Sequence, residues 1–215
     1  MNPTSLLGRA ALAALFTAML TAPLFPGRAQ AARAVPATTV PVPAAALPGN
    51  SLYRIDSALT DAAGQSFTLR DMAGAPLLVT MFYGDCNAAC PIIIETLKRT
   101  VTKLGPSAKP LRVLMISLDP VHDDPKGLAM LATMHGLDAR QFRLAVARDE
   151  SQTRMLAAAL NIKFRALDNG EINHTSRIAL VDGQGVERAF STRLDAEPDP
   201  AFVKQVAALL KPGQR

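Results

Sequence analysis

The sequence predicts a mixed α/β domain in which helices cover both faces of a central sheet. Residues 77–82 and 111–118 form two nearly continuous apolar runs, which are typical of central strands buried on both sides. Helix-like segments alternate with these strands, and an antiparallel hairpin is predicted late in the chain. This alternation favours parallel strands joined by helices.

The first 31 residues have the features of a secretory signal peptide. Arg9 supplies a positive n-region, residues 10–20 an apolar h-region, and Ala29 and Ala31 a small-x-small cleavage pattern. An uncleaved membrane anchor is the alternative, although the apolar stretch is short for a span. In either case we expect a periplasmic or otherwise exported protein, which contacts the membrane only if this segment is retained.

A linker and one folded domain are predicted to follow. Residues 32–49 are rich in Ala and Pro, as extended linkers are, and residues 50–215 have a normal size for one domain. The formal charge of +5 falls to +3 when the signal segment and its two arginines, Arg9 and Arg28, are removed. So mild an excess of positive charge argues against nucleic acid as a partner.

Within the domain, an N-terminal β-hairpin is predicted from residues 51–55 and 66–69, with Gly64 between them. The later strands are predicted at residues 77–82, 111–118 and 142–147, and in a hairpin of 175–181 with 186–191. The helices are predicted at residues 92–104 and 126–135, from a cap at Ser151 to about residue 160, and at 200–210. Residues 161–173 are predicted to be irregular.

The two cysteines of the chain, Cys86 and Cys90, lie between a predicted strand and a predicted helix. Pro91 suits the first position of that helix. The free N–H groups and the dipole at a helix N-terminus favour thiolate over thiol. Two thiolates so placed can form a disulfide, exchange one, or bind a soft metal ion. A disulfide that only staples the fold is the other interpretation, but closing so short a loop removes little entropy from the unfolded chain.

Two further stretches accompany the cysteine pair. Residues 117–125 read Ser-Leu-Asp-Pro-Val-His-Asp-Asp-Pro, and residues 173–182 read Asn-His-Thr-Ser-Arg-Ile-Ala-Leu-Val-Asp. Together with the Cys-x-x-x-Cys-Pro motif, they resemble the Sco/SenC family of copper-binding, thioredoxin-like assembly proteins. Thioredoxins themselves place two residues between the cysteines, and peroxiredoxins place Thr or Ser three positions before the reactive cysteine, where this chain has Tyr83.

The resemblance covers about residues 51–210 and implies a thioredoxin-like fold. It also implies a copper site formed by Cys86, Cys90 and His174, for Cu(I) or Cu(II). Independently, two thiolates suit soft Cu(I), and an imidazole adds a ligand that Cu(II) prefers. The chain departs from the family pattern before Cys86, where Gly84 and Asp85 stand in place of the Thr, Ser or His that members often carry.

For the other polar residues near these motifs, the sequence indicates surface, turn or cap positions, with a role at the site as one alternative for Asp119. His122 is expected to be a solvated loop histidine, and His135 a surface residue in the last turn of a helix. Asp119 is either an acceptor for the site or a residue that initiates a turn before Pro. Asp123 and Asp124 are expected to be turn and cap residues.

The main functional hypothesis is an exported copper metallochaperone, which need not be an enzyme. It would deliver copper, or electrons, to a copper enzyme during assembly, typically cytochrome oxidase, and would receive copper from an upstream donor. The alternative is a thiol–disulfide oxidoreductase, with Cys86 and Cys90 as catalytic residues, that keeps the copper-ligating cysteines of a client reduced. That enzyme would need a thiol reductant and would not need His174. A redox or copper sensor is a third hypothesis.

Overall fold

The computed structural model describes residues 47–84, 89–193, 195 and 197–211, without the side chains of residues 89 and 90. The predicted signal peptide, residues 1–31, and most of the predicted linker lie outside these residues. Leu47 is buried in the core, ahead of the predicted start of the domain at residue 50. In the part of the chain that is described, no helix has the length and apolar character needed to span a membrane.

The strands are β1 (Ala58–Asp61), β2 (Ser66–Thr68), β3 (Leu77–Phe82), β4 (Arg112–Ser117), β5 (Phe142–Ala147), β6 (Phe164–Ala166), β7 (Ile172–His174), β8 (Ile178–Val181) and β9 (Glu187–Ser191). Among the described residues, seven of them form one sheet in the order β2-β1-β5-β4-β3-β8-β9, and β6 pairs with β7. The pairs β3–β4 and β4–β5 are parallel, and the other pairs are antiparallel. This arrangement confirms the predicted mixed sheet.

The helices are α1 (Ala89–Leu104), α2 (Pro125–Met134), α3 (Glu150–Ala159) and α4 (Pro200–Leu209). Helices α1 and α2 connect parallel neighbours in the same direction across the sheet, and the right-handed rule for such connections places both on one face. Helix α4 packs against α1. Leu156 of α3 shares a small apolar cavity with Val79 of β3 and Ile116 of β4 on the other face. Helices on both faces were predicted, and the fold confirms them.

Strand β3 determines where the site lies. All six of its residues are buried, as its continuous apolar run predicts. Its last residue, Phe82, is in register with Ser117, the last residue of β4, so the two chains leave the sheet at one edge. Strand β8 runs antiparallel to β3, so the residues before Ile178 approach that same edge. Three segments distant in sequence therefore converge there.

The N-terminal hairpin is confirmed, but the prediction of a strand at residues 51–55 is wrong. Leu52–Arg54 is a 3-10 helix, and the Ser51 hydroxyl caps it by accepting a hydrogen bond from the Tyr53 N–H at 3.1 Å. The hairpin is formed instead by β1 and β2, with Gly64 in the turn at a φ of 75°. Capping by Ser51 and burial of the Tyr53 ring therefore favour a 3-10 turn over the predicted strand.

Two later predictions are also wrong in part. Residues 161–173, predicted to be irregular, include β6 and most of β7, which pair with each other. The cap of α3 is Asp149 and not Ser151, because the Asp149 carboxylate accepts a hydrogen bond from the Gln152 N–H at 2.9 Å. Short strands that pair only with each other carry little apolar periodicity, which explains why the sequence pattern missed them.

Candidate metal centre

The candidate site lies at the edge of the sheet where β3 ends and the chain continues toward α1. Tyr83 follows β3 directly and is buried, and Gly84 is exposed. Cys86 lies outside the described residues. The backbone of Cys90 is the second position of α1, which begins earlier than the predicted residue 92. Cys90 therefore lies in the first turn of a helix, where unpaired N–H groups and the dipole favour a thiolate.

His174 is the last residue of β7, and its half-buried ring lies against Tyr83. The two rings meet edge to face, with centroids 6.0 Å apart and an interplanar angle of 84°. Nδ1 of His174 is 3.3 Å from the carbonyl oxygen of Thr175. Because a carbonyl oxygen only accepts, this contact favours the proton on Nδ1 and leaves the lone pair of Nε2 for a metal.

Burial also determines the charge of this imidazole. Burial lowers the pKa of His174 below its ordinary value, although the hydrogen bond to Thr175 acts in the opposite direction. The neutral form, which is the form that binds metals, is therefore favoured at neutral pH. Both the tautomer and the charge of His174 suit a metal ligand.

The residues after His174 are fixed on both sides. Thr175 exchanges hydrogen bonds with Lys163, one from the Thr175 N–H and one to its hydroxyl, both at 2.9 Å. The hydroxyl of Thr80 in β3 donates to the carbonyl of Arg177 at 2.8 Å. The guanidinium of Arg177 is buried and makes two hydrogen bonds to Glu187 at 2.7 and 2.8 Å. These contacts hold the segment from His174 to β8 against the sheet.

The loop after β4 contacts the chain after β3. The Asp123 carboxylate accepts hydrogen bonds from the Gly84 N–H at 2.9 Å and from the hydroxyl of Ser117. The Leu118 N–H donates to the Phe82 carbonyl at 2.6 Å, which continues the parallel ladder beyond the strands. Burial raises the pKa of Asp123, and the hydrogen bonds from Ser117 and Gly84 oppose that effect.

Asp119 and His122 contact each other in the same loop. Nδ1 of His122 is 2.8 Å from a carboxylate oxygen of Asp119, and this hydrogen bond raises the pKa of His122. His122 is exposed, as predicted. The hydrogen-bond partner of Asp119 is thus His122, in its own loop. The acceptor beside Nδ1 of His174 is the Thr175 carbonyl. The third histidine, His135, is the half-buried C-cap residue of α2.

Asp124 is the cap residue that the sequence predicts, whereas the contact of Asp123 was not predicted. Asp124 caps α2 by accepting from the Gly127 N–H at 2.7 Å. Asp123 does not cap a helix, because its carboxylate is committed to Ser117 and Gly84. One signal could have indicated this contact: residues that follow adjacent parallel strands leave the sheet at the same edge.

Among the described residues, no group of three or more His, Cys, Asp and Glu side chains could hold a metal ion. These residues include His174 but not the side chains of Cys86 and Cys90. What the structure brings together is therefore His174, Tyr83 and the residue that leads to Cys86.

A strand-to-helix cysteine motif on a mixed sheet of this order defines a thioredoxin-like protein. The model of the SCO1/SenC family matches residues 47–211. The chain therefore belongs to the SCO1/SenC family. A search of curated proteins found no significant match.

Several solved structures share this fold. A SCO1/SenC family lipoprotein from Bacillus anthracis str. Ames has a TM-score of 0.66 at 15% identity, and the match covers 72% of this chain and 92% of that one. ScoI of Arabidopsis thaliana with copper bound has a TM-score of 0.61 at 13% identity, over 71% and 96%. BsSco, a member of the Sco family of cytochrome c oxidase assembly proteins with a disulfide switch, has a TM-score of 0.60 at 19% identity, over 71% and 91%.

Proposed function

We propose that this chain is an exported copper protein that binds copper through Cys86, Cys90 and His174 and delivers it to a copper enzyme during assembly. One observation carries the proposal. The half-buried imidazole of His174 lies 6.0 Å, between ring centroids, from Tyr83, which directly precedes the Gly84-to-Cys90 segment. An imidazole from a distant strand thus lies beside the residue that precedes the segment with both cysteines, which supports His174 as the third ligand.

The donor set fits copper in both oxidation states. Two thiolates select soft Cu(I), and the imidazole supplies the nitrogen that Cu(II) prefers. Cys90 would bind as a thiolate favoured by the N-terminus of α1, and His174 through its Nε2 atom. Oxidation of the cysteines to a disulfide would remove both sulfur ligands, so disulfide formation and copper binding exclude each other.

The relatives support the wider role. ScoI of Arabidopsis thaliana is described with copper bound, and BsSco as a cytochrome c oxidase assembly protein with a disulfide switch. A client with a copper site, such as a cytochrome oxidase subunit, agrees with these descriptions. The Bacillus anthracis relative is a lipoprotein, which agrees with export of this chain and with the signal-like residues 1–31.

Copper titration of the reduced protein under anaerobic conditions tests the proposal. We expect tight binding of about one equivalent of Cu(I), and loss of that site in Cys90→Ala, because one thiolate cannot form a two-sulfur site. The variant should keep its circular dichroism spectrum, since so short a loop contributes little to stability. Absence of copper binding by the reduced wild-type protein would contradict the proposal.

The oxidoreductase is the second candidate, and the position of Cys90 in the first turn of α1 favours it. A thiolate stabilised there could attack a disulfide in a client as readily as it could bind copper. Turnover of a model disulfide with an added thiol reductant, at a rate that does not depend on His174, would favour this candidate over copper delivery.

A further inference from the structure

Asp123 connects the loop after β4 to the residue that leads into the cysteine segment. Its carboxylate accepts hydrogen bonds from the Gly84 N–H at 2.9 Å and from the Ser117 hydroxyl. We infer that Asp123 is a positioning residue, which through Gly84 holds the segment that carries Cys86 beside His174. The inference rests on the proposed copper function for the identity of the ligand.

The position of the Asp123 carboxylate is itself determined by the sheet. Ser117 is fully buried and is the last residue of β4, in register with Phe82 of β3. Its hydroxyl donates to Asp123 and accepts from the Asp119 N–H at 2.9 Å. The Asp123 N–H in turn donates to the Asp119 carbonyl at 3.0 Å. The carboxylate is thus held at the end of β4 before it reaches Gly84.

The absence of a side chain at Gly84 permits this contact. A Cβ atom at position 84 would overlap the Oδ1 atom of Asp123 and lie 3.2 Å from its Cγ atom. The three nearest atoms that such a Cβ would meet all belong to Asp123. The φ angle of Gly84 is outside the left-handed region, so the backbone alone does not require glycine here. The approach of the Asp123 carboxylate is what excludes a side chain.

The contact restrains the chain directly before the cysteines. Tyr83 packs against His174, and the next residue, Gly84, is bound by Asp123, so adjacent residues are fixed from two sides. Cys86 follows Gly84 by two residues, which span about 7 Å when extended. A restraint at Gly84 therefore limits the positions that the Cys86 sulfur can occupy relative to His174.

Loss of the Asp123 carboxylate should change copper binding and the redox equilibrium in predictable directions. A looser segment and the loss of a nearby negative charge both weaken binding of a copper cation. Partners that orient metal ligands typically contribute about 10- to 100-fold in affinity, so we expect at least about a tenfold loss in Asp123→Ala. The same two effects make the disulfide easier to reduce. In a looser segment the two thiols meet less often, and without the Asp123 charge the thiolates of the reduced form are repelled less.

The experiment compares Asp123→Ala with Asp124→Ala in the full-length protein. Asp124 is the adjacent carboxylate in the same loop, but it caps α2 through the Gly127 N–H. The measurements are the Cu(II) dissociation constant, the thiolate-to-Cu(II) charge-transfer band, and the disulfide equilibrium with a reference dithiol. We expect Asp123→Ala to weaken Cu(II) binding, alter the band and favour the dithiol, whereas Asp124→Ala leaves all three unchanged. Equal effects of the two variants, or none from Asp123→Ala, would overturn the inference.

A double-mutant cycle with Gly84→Ala gives the sharper test. In the wild-type background the added Cβ should displace Asp123 and impair the site, as Asp123→Ala does. In the Asp123→Ala background the clash is gone, so Gly84→Ala should add little further effect. Additive effects of the two substitutions would overturn the inference. Asp123→Asn keeps an oxygen acceptor for the Gly84 N–H but lacks the charge, so it should bind Cu(II) more tightly than Asp123→Ala and more weakly than the wild type. Binding no tighter than that of Asp123→Ala would also overturn the inference.

Failure of the copper proposal can be distinguished from failure of the inference about Asp123. If the wild-type protein bound no copper, the copper proposal would fail. The disulfide equilibria of the same variants would still decide whether Asp123 positions the cysteine segment, because that measurement needs no metal.

Discussion

His174 depends on its neighbours for the properties of a metal ligand. The Tyr83 ring holds one side of the imidazole, and the Thr175 carbonyl favours the proton on Nδ1. Burial lowers the pKa of the ring, which favours its neutral form. His122 has none of these features, because it is exposed and its contact with the Asp119 carboxylate raises its pKa. The same side chain is therefore suited to a metal in one setting and to a surface ion pair in the other.

Replacing His174 should separate the two copper states. In His174→Ala, Cu(I) should still bind to Cys86 and Cys90, although more weakly, whereas Cu(II) affinity should fall by at least about 10- to 100-fold. Maturation of the client should fail if copper delivery is the function, and reduction of client cysteines should persist if the protein is only an oxidoreductase. Copper titrations in both oxidation states and a client-maturation assay measure these outcomes.

His122→Ala is the matched control for that experiment. Its imidazole pairs with Asp119 in an exposed loop, so its removal should leave both copper affinities unchanged. Unaltered Cu(II) affinity in His174→Ala would remove His174 from the site and make His122 the next candidate ligand.

Asp123 should give the wild-type protein a specific dependence of stability on pH. Burial raises its folded pKa above the unfolded value of about 3.9. Between these two pKa values the folded state binds more protons than the unfolded state, so the free energy of unfolding falls as the pH rises through that window. The neighbouring charges act in opposite directions, since Asp119 raises the pKa and His122 lowers it.

Urea denaturation of the wild type and of Asp123→Asn tests this dependence. The unfolding free energy of the wild type, relative to the variant, should fall as the pH is raised from below about 3.9 to neutrality, and then level off. A difference that is flat with pH, or that rises, would contradict the raised pKa of Asp123.

At the scale of single elements, the caps decide where the helices begin. Asp149 accepts from the Gln152 N–H at 2.9 Å at the start of α3, whereas Ser151 lies exposed inside the first turn. The salt bridge of Asp149 with Arg148 is exposed and adds little. The Asp149 carboxylate, and not the Ser151 side chain, therefore caps the N-terminus of α3.

The free energy of unfolding should respond accordingly. Asp149→Ala should lower it by about 1 kcal/mol through loss of the cap, and Ser151→Ala should change it much less. Urea denaturation at neutral pH measures both variants, with unchanged m-values confirming that the unfolding transition is the same. An effect of Ser151→Ala as large as that of Asp149→Ala would be evidence against this cap assignment.

At the scale of the whole domain, the turn between β8 and β9 packs against the N-terminal 3-10 helix. The carbonyl of Gly185 accepts from the Leu52 N–H at 2.9 Å, and the Ser51 hydroxyl donates to the Gln184 carbonyl at 2.6 Å. Gly185 has a φ of 84°, and a Cβ atom there would lie 2.7 Å from a ring carbon of Tyr53. Both the backbone and the packing therefore require glycine at this position.

Gly170 provides a matched comparison for Gly185. It has a φ of 83°, but a Cβ atom there would meet nothing within 4 Å. Both Gly→Ala variants should lose about 1–2 kcal/mol through the left-handed backbone. Gly185→Ala should lose a further 1–3 kcal/mol or so through overpacking against Tyr53. Equal losses in urea denaturation would show that the contact between these two ends of the domain is loose.

The sequence by itself determined the features that depend on residues close together along the chain. The run at residues 77–82 predicted β3 with its bounds, because a strand buried on both faces is apolar throughout. The alternation of strands and helices predicted the mixed sheet, and the motifs around Cys86, Cys90 and His174 indicated the family that residues 47–211 match. Caps and short pairings were less predictable, since Asp149 and Ser151 are equally good cap residues by type.

Only the tertiary structure decided which side chains meet at the site. His174 lies beside Tyr83 because β8 pairs antiparallel with β3. The residues next to either side chain in the sequence do not predict that pairing. Asp123 and Gly84 are 39 residues apart, and their contact depends on the register of β3 with β4. Strand order and register arise from burial across the whole sheet, so contacts that depend on them become visible only when the chain is folded.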